Sequence, residues 1–334
     1  MKAAGVGETR IASRSFSQTA VFGFWEGLKS YSFIPWFRKQ VIALLDDIRP
    51  DVFVPVSLSG LNLGLARYAR KTGIKVVYLS PPQLWAWGKW RAKKLAQSTD
   101  LVICLLPFEE PFFRSLGVNA IFLGNPLVDA IPDSALRTPR SALRVALMPG
   151  SRRSEEARHR PLLEYVAEQL KREFPGLEAF ELQYEYQPDS PARYARMAQA
   201  DLIVAASGTA VLEAAILGVP VIVIYQLSVP TYLIARLLVG LKHVALPNLI
   251  LGRQVVPELV QTGPEPILAQ ARVLLADPAE RLRMRNDLAE VRRQLGPPGA
   301  AMRIARAILE ASPGFGRRPR FRHRTGRREL RSLI

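Results

Sequence analysis

Short, continuous apolar runs recur along the chain at 51–56 (DVFVPV), 75–80 (KVVYLS), 100–106 (DLVICLL), 120–124 (AIFLG), 144–149 (RVALMP), 201–206 (DLIVAA) and 220–225 (PVIVIY). Runs without polar alternation are the mark of strands buried on both faces of a parallel sheet. Amphipathic stretches with helical spacing separate them at 36–48, 61–72, 89–98, 161–174 and 209–217. Three more close the pattern at 265–277, 278–295 and 300–311. This alternation predicts α/β architecture. The polar stretch PDSALRTPRSA (132–142) interrupts the rhythm and reads as a linker. The expected organisation is one α/β domain over 1–135, a second over 143–311, and a tail over 312–334.

Composition narrows the setting. The chain has 334 residues, 49% of them hydrophobic, which suffices for a sizeable core. A single cysteine, Cys104, excludes a disulfide framework and reads as a small buried hydrophobe in a reducing compartment. No apolar run approaches the roughly 20 residues of a spanning helix, and MKAAGVGETRIASRSF lacks the apolar core of a signal peptide. A cytoplasmic protein is expected. The net charge is +17, from 46 Lys+Arg against 29 Asp+Glu, and favours polyanionic partners. Eight arginines and one glutamate fall in RRPRFRHRTGRRELR (317–331), which reads as a disordered basic arm.

Two strand-to-helix turns carry candidate chemistry. In MPGSRRSEEARHR (148–160), Pro149 and Gly150 make a turn, Ser151 offers a hydroxyl and an N–H, and Arg152 offers a guanidinium fork. Such a turn can aim backbone N–H groups at phosphate, with arginine adding paired hydrogen bonds. In LIVAASGTAVLEAAIL (202–217), Ser207, Gly208 and Thr209 lead from strand to helix, leaving room for close approach of an anion. Glu213 follows one turn later, where a carboxylate suits ribose hydroxyls better than phosphate. Taken alone, each segment also fits a plain turn or helix cap.

Together these segments resemble a known family. SGTAVLEAAILGVPVIVIYQLS, VALPNLILGRQVVPELVQ (244–261), SPPQLWAWGKWRAKKLAQSTDLVICLLPFEEPFF (80–113), LGNPLVDA (123–130) and MPGSR are similar in order and spacing to lipid-A-disaccharide synthases. The resemblance runs from about residue 20 to residue 310. It implies two Rossmann-like domains of GT-B type, the N-terminal one incomplete. It also implies inverting transfer from UDP-2,3-diacylglucosamine to 2,3-diacylglucosamine 1-phosphate, with release of UDP. Ser151, Arg152, Ser207, Gly208 and Thr209 would then hold the diphosphate and Glu213 the ribose. Asn248, Arg253, Glu258 and Gln261 would line the nucleotide pocket. No metal or cofactor is expected.

Acylated substrates imply work at a membrane. VFGFWEGLKSYSFIPWF (21–37) supplies Phe22, Phe24, Trp25, Phe33 and Trp36, with Lys29, Arg38 and Lys39 alongside. Aromatics flanked by cations suit an anionic interface, although core packing would also account for them. The expected partners are therefore the two acylated sugars, an anionic membrane surface on the inner membrane and a second copy of the chain. No specific nucleic acid is expected.

The sequence departs from the family in three places. No segment resembles the family's N-terminal GEASGD-like loop, which predicts a missing first strand. Where the family carries an acidic DAPDFN-like segment, this chain reads SLSGLN: Ser57 and Gly60 replace aspartates and only Asn62 is retained. Serine alone is a poor base for activating an acceptor hydroxyl near neutral pH. Finally, QYEYQPDSPARYARMAQA (183–200) replaces an expected strand and helix. The alternatives are a nucleotide-sugar-binding protein without transfer activity, or another UDP-sugar GT-B enzyme such as a UDP-N-acetylglucosamine 2-epimerase.

Overall fold

A computed structural model describes residues 33–131, 142–182, 191–227, 232 and 242–312. The chain divides into two compact units, Met1–Arg49 and Pro50–Ile334. In the first unit, helix α1 (Phe33–Ile48) is amphipathic and leaves Ile34, Trp36, Leu44 and Ile48 exposed.

The second unit contains two parallel sheets. The first has the order β1-β2-β3-β4 and is built from β1 (Val52–Phe53), β2 (Lys75–Leu79), β3 (Leu101–Cys104) and β4 (Ala120–Phe122). The helices between them are α2 (Ser59–Lys71), α3 (Ala92–Ser98), α4 (Glu109–Ser115) and, after β4, α5 (Leu127–Ala130). Pro55 cuts the run 51–56 down to a two-residue strand, because proline has no N–H for the ladder.

The second sheet has the order β6-β5-β7-β8-β9. Its strands are β5 (Arg144–Met148), β6 (Glu178–Glu181), β7 (Leu202–Ala206), β8 (Val221–Tyr225) and β9 (Glu258–Val260). Between β5 and β6 runs α6 (Arg153–Glu173); α7 (Pro191–Ala198) and α8 (Thr209–Ile216) flank β7. After β8 come α9 (Leu246–Leu251), then α10 (Pro264–Ala276), α11 (Pro278–Gln294) and α12 (Ala300–Glu310). Every residue of β7 is buried, as its unbroken apolar run requires for a central strand. The largest core cluster joins β5, β7 and β8 to α6, α8, α10 and α11.

The chain crosses back from the second sheet to the first. Asp129 of α5 accepts the N–H groups of Gly299 (2.5 Å) and Ala301 (2.7 Å), so it caps the start of α12 from outside its own helix. Ile304 of α12 packs with Val77 and Ile103 of the first sheet. Arg303 donates to the carbonyls of Leu123, Pro297 and Pro298. The two connecting backbones nearly touch: a Cβ at Gly296 would lie 3.2 Å from Gly124 Cα.

Several boundaries differ from the sequence reading. Strands β6 and β9 lie at the sheet's edges, where half-exposed polar residues hide the apolar signal. The helix expected from 161 begins at Arg153, with Pro161 inside it; proline marks many helix starts but not this one. Part of 183–200 is not a replacement for structure, because α7 occupies Pro191–Ala198. The linker residues 132–141, the segment 183–190, the tail from 313 and the aromatics Phe22, Phe24 and Trp25 lie outside the described residues.

Candidate functional site

Because all strands of the second sheet run the same way, the loops leaving β5, β7, β8 and β9 gather along one rim. β5 and β7 are neighbours, so the Pro149–Arg152 loop and the Ser207–Thr209 turn stand side by side. Gly208 occupies the N-cap position of α8 without any side-chain cap. The first N–H groups of α8 are therefore open to an anion. Gly208 and Thr209 are exposed, and no atom lies within 4 Å of where a Cβ on Gly208 would stand.

The neighbouring loop is shaped by Gly150, whose φ of +123° is a conformation that side chains resist. A Cβ there would meet the Glu155 carboxylate at 3.1 Å. Glu155 also pairs with Arg152 at 2.6 Å, which holds the guanidinium beside the loop. Arg152 is the N-cap residue of α6, and no side-chain cap covers that helix start either. Ser151 is exposed next to it. Tyr225, at the end of β8, completes this charged corner. Burial raises its pKa first, Glu155 raises it further, and Arg152 and Arg158 pull it down.

The remaining expected contacts take different roles. Asn248 is fully buried. Its amide nitrogen donates to Val256 O and Glu258, and its oxygen accepts from Val255 and Val256 N–H. Glu258 accepts in turn from the N–H groups of Val244 and Ala245. The pair therefore braces the 243–258 loop. Gln261 pairs with both backbone groups of Leu227, extending the ladder past β8 and β9. Arg253 reaches Asp287 of α11 at 2.7 Å, a surface ion pair.

Glu213 is the clearest departure from expectation. Its carboxylate meets Arg193 of α7 at 2.6 Å, and the two side chains are only 3% and 5% exposed. A carboxylate so enclosed is a charge partner inside the fold. Sequence reasoning missed Arg193 because it sits in the segment that departs from the family pattern. It missed Glu155 and His159 because neither belongs to a recognised phosphate motif.

At the rim of the first sheet, Ser57 and Leu58 have φ of +52° and +38°, and Ser80 has φ of +56°. Such strain in non-glycine residues concentrates at functional loops. Asn62 donates to the carbonyls of Val56 and Ser57, both at 2.9 Å. Tyr78 donates to Ser57 O at 2.5 Å, and the hydroxyls of Ser57 and Ser80 are bonded at 3.2 Å. Gly60 is exposed in the first turn of α2. Asn62 thus braces the turn. Among the described residues no group of three or more His, Cys, Asp or Glu could hold a metal ion, and no helix is long and apolar enough to cross a membrane.

Comparison with known proteins agrees with this architecture. A family model described as lipid-A-disaccharide synthetase matches residues 1–303. The lipid-A-disaccharide synthase of Myxococcus xanthus is 34% identical, over 92% of this chain and 89% of the relative. That of Anaeromyxobacter sp. is 38% identical, over 78% of this chain and 75% of the relative. Among solved structures, UDP-GlcNAc 2-epimerase from Neisseria meningitidis bound to UDP-GlcNAc has a TM-score of 0.56 at 14% identity, covering 83% of this chain and 81% of that one. The UDP co-structure of S. aureus MnaA has a TM-score of 0.58 at 12% identity, covering 83% and 80%. At such identities these two likenesses concern the fold alone, two Rossmann-like sheets of GT-B type. The family match and the identities of the relatives place the chain itself: it belongs to the lipid-A-disaccharide synthase family.

Proposed function

We propose that the protein is an inverting glycosyltransferase that joins UDP-2,3-diacylglucosamine to 2,3-diacylglucosamine 1-phosphate and releases UDP. One observation carries the donor side. The uncapped start of α8 at Ser207-Gly208-Thr209 stands beside the Ser151-Arg152 loop on the adjacent strand. On this reading two sets of N–H groups and a guanidinium would serve one anion. A diphosphate there would exchange with Glu155 for Arg152. Oriented N–H groups and positive charge stabilise the negative charge that develops on a departing diphosphate. The domain reading assigns this donor half to 143–311 and the acceptor half to 1–135.

The acyl chains of both substrates call for a lipid surface. Exposed Trp36 and Ile34 on α1, with the aromatics of 21–37 and the basic excess of the chain, support peripheral attachment to an anionic, cytoplasmic-side membrane face.

A second reading is nucleotide-sugar binding without transfer, favoured by Ser57, whose hydroxyl is bonded to that of Ser80 with no carboxylate from 57 to 62. Incubation with both acylated sugars in vesicles decides between them. Stoichiometric release of UDP with formation of the disaccharide is expected. UDP binding without release would establish the second reading, and absence of both would refute the donor site.

A further inference from the structure

We propose that His159 is a positioning residue for the diphosphate site, a neutral imidazole that ties the exit of β5 to the exit of β8 across the turn that leaves β7. The inference rests on the donor-site reading above.

His159 lies in the second turn of α6 and is fully buried. Its Nδ1 is 2.8 Å from Pro149 O, in the loop that precedes Ser151 and Arg152. Its Nε2 is 3.0 Å from the backbone N of Gln226, the residue after β8. These two partners determine the ring's state. A backbone N–H can only donate, so Nε2 is the bare nitrogen. A carbonyl can only accept, so Nδ1 carries the proton and donates it. An imidazolium would set one N–H against another. Burial, the largest influence on the ring, lowers its pKa and favours the same neutral form.

The topology gives the tie its reach. β5 and β8 are the two neighbours of β7, so a bridge between their exits spans the strand that delivers Ser207, Gly208 and Thr209. The tie continues outward on the β8 side. Gln226 Nε2 donates to Thr262 O at 2.6 Å, and Gln261 pairs with Leu227. Pro149 is thereby linked, through one ring and one short segment, to the far edge of the sheet. An anion-binding loop works only if its N–H groups are held in place before the ligand arrives. A buried histidine filling space alone would need no pair of backbone partners on two separate loops.

The test uses the full-length protein and UDP as the probe. Wild type must first bind UDP in calorimetry; if it does not, the donor-site reading fails, whatever His159 does. Given binding, H159N and H159Q each keep one of the two hydrogen bonds. Each should weaken UDP by about five- to ten-fold, raise the donor KM by a similar factor and leave the acceptor KM unchanged. Affinity within two-fold of wild type in both folded variants would overturn the proposal. A second measurement needs no variant. Nitrogen-15 spectra of histidine-labelled protein at neutral pH should show His159 protonated on Nδ1 and bare on Nε2. The opposite tautomer, or an imidazolium, would overturn it equally.

Discussion

Arg193 and Glu213 face each other at 2.6 Å from the helices that precede and follow β7 in the chain, with almost no water at either side chain. Removing one member of such a pair strands the other charge in the interior, at a cost of about 3–5 kcal/mol. Glu213→Ala should therefore lower stability by that order in urea unfolding. The double variant R193L/E213L should recover most of the loss and bind UDP within about three-fold of wild type, below the change expected for a lost charged hydrogen bond. Recovery of stability with a large loss of UDP affinity would instead return Glu213 to the ribose.

Arg152 belongs to the loop proposed to hold the diphosphate, and it is paired with Glu155 at 2.6 Å. Arg152→Ala should weaken UDP by about 1–3 kcal/mol, the range for a charge-assisted hydrogen bond. Calorimetry at fixed salt measures it, and unchanged affinity would remove Arg152 from the site.

Gly150 combines a φ of +123° with the Glu155 carboxylate 3.1 Å from a would-be Cβ. Gly150→Ala should cost about 1–3 kcal/mol of stability and also weaken UDP, because the loop must shift to accept the methyl. A variant as stable and as tight-binding as wild type would show the loop to be adaptable.

His159 also predicts a pH dependence of stability. Burial lowers its pKa in the fold, so folding disfavours the charged ring. The contribution of the neutral ring is fully present above the unfolded value of about 6.5 and is lost as pH falls from there toward the depressed folded value. Urea midpoints from pH 8 to pH 5 should drop more steeply for wild type than for H159N. Parallel slopes would mean that His159 titrates alike in both states.

Membrane attachment should weaken with salt, since exposed charges are screened within about 10 Å at 0.1 M. Co-sedimentation with anionic vesicles should fall across a salt series, and W36A, which removes an exposed ring of α1, should bind less at every point. Salt-independent binding equal in both proteins would exclude this surface.

The sequence by itself determined the architecture. Short unbroken apolar runs such as 202–206, rich in β-branched residues and bounded by turn signals, read as strands covered on both faces, and their alternation with helical segments pointed to parallel sheets. The two strand-to-helix turns at 149–152 and 207–209 were legible for the same reason: glycine and small residues at a strand's end are a local signal. The tertiary structure decided what each polar side chain does. Along the chain Asn248, Glu258 and Gln261 look like ligand contacts, yet Asn248 and Glu258 bond to each other and all three bond to backbone groups of their own or adjoining loops. Glu213 acquired Arg193, 20 positions away in sequence, only because the fold brings one side chain of α7 to one of α8. His159 reads as one more polar residue in SRRSEEARHR, and nothing local distinguishes it from a solvated one. Its two partners lie 10 and 67 residues away. Side-chain periodicity is short-ranged and survives in the sequence. Burial of a polar group is set by what the fold brings to it from elsewhere.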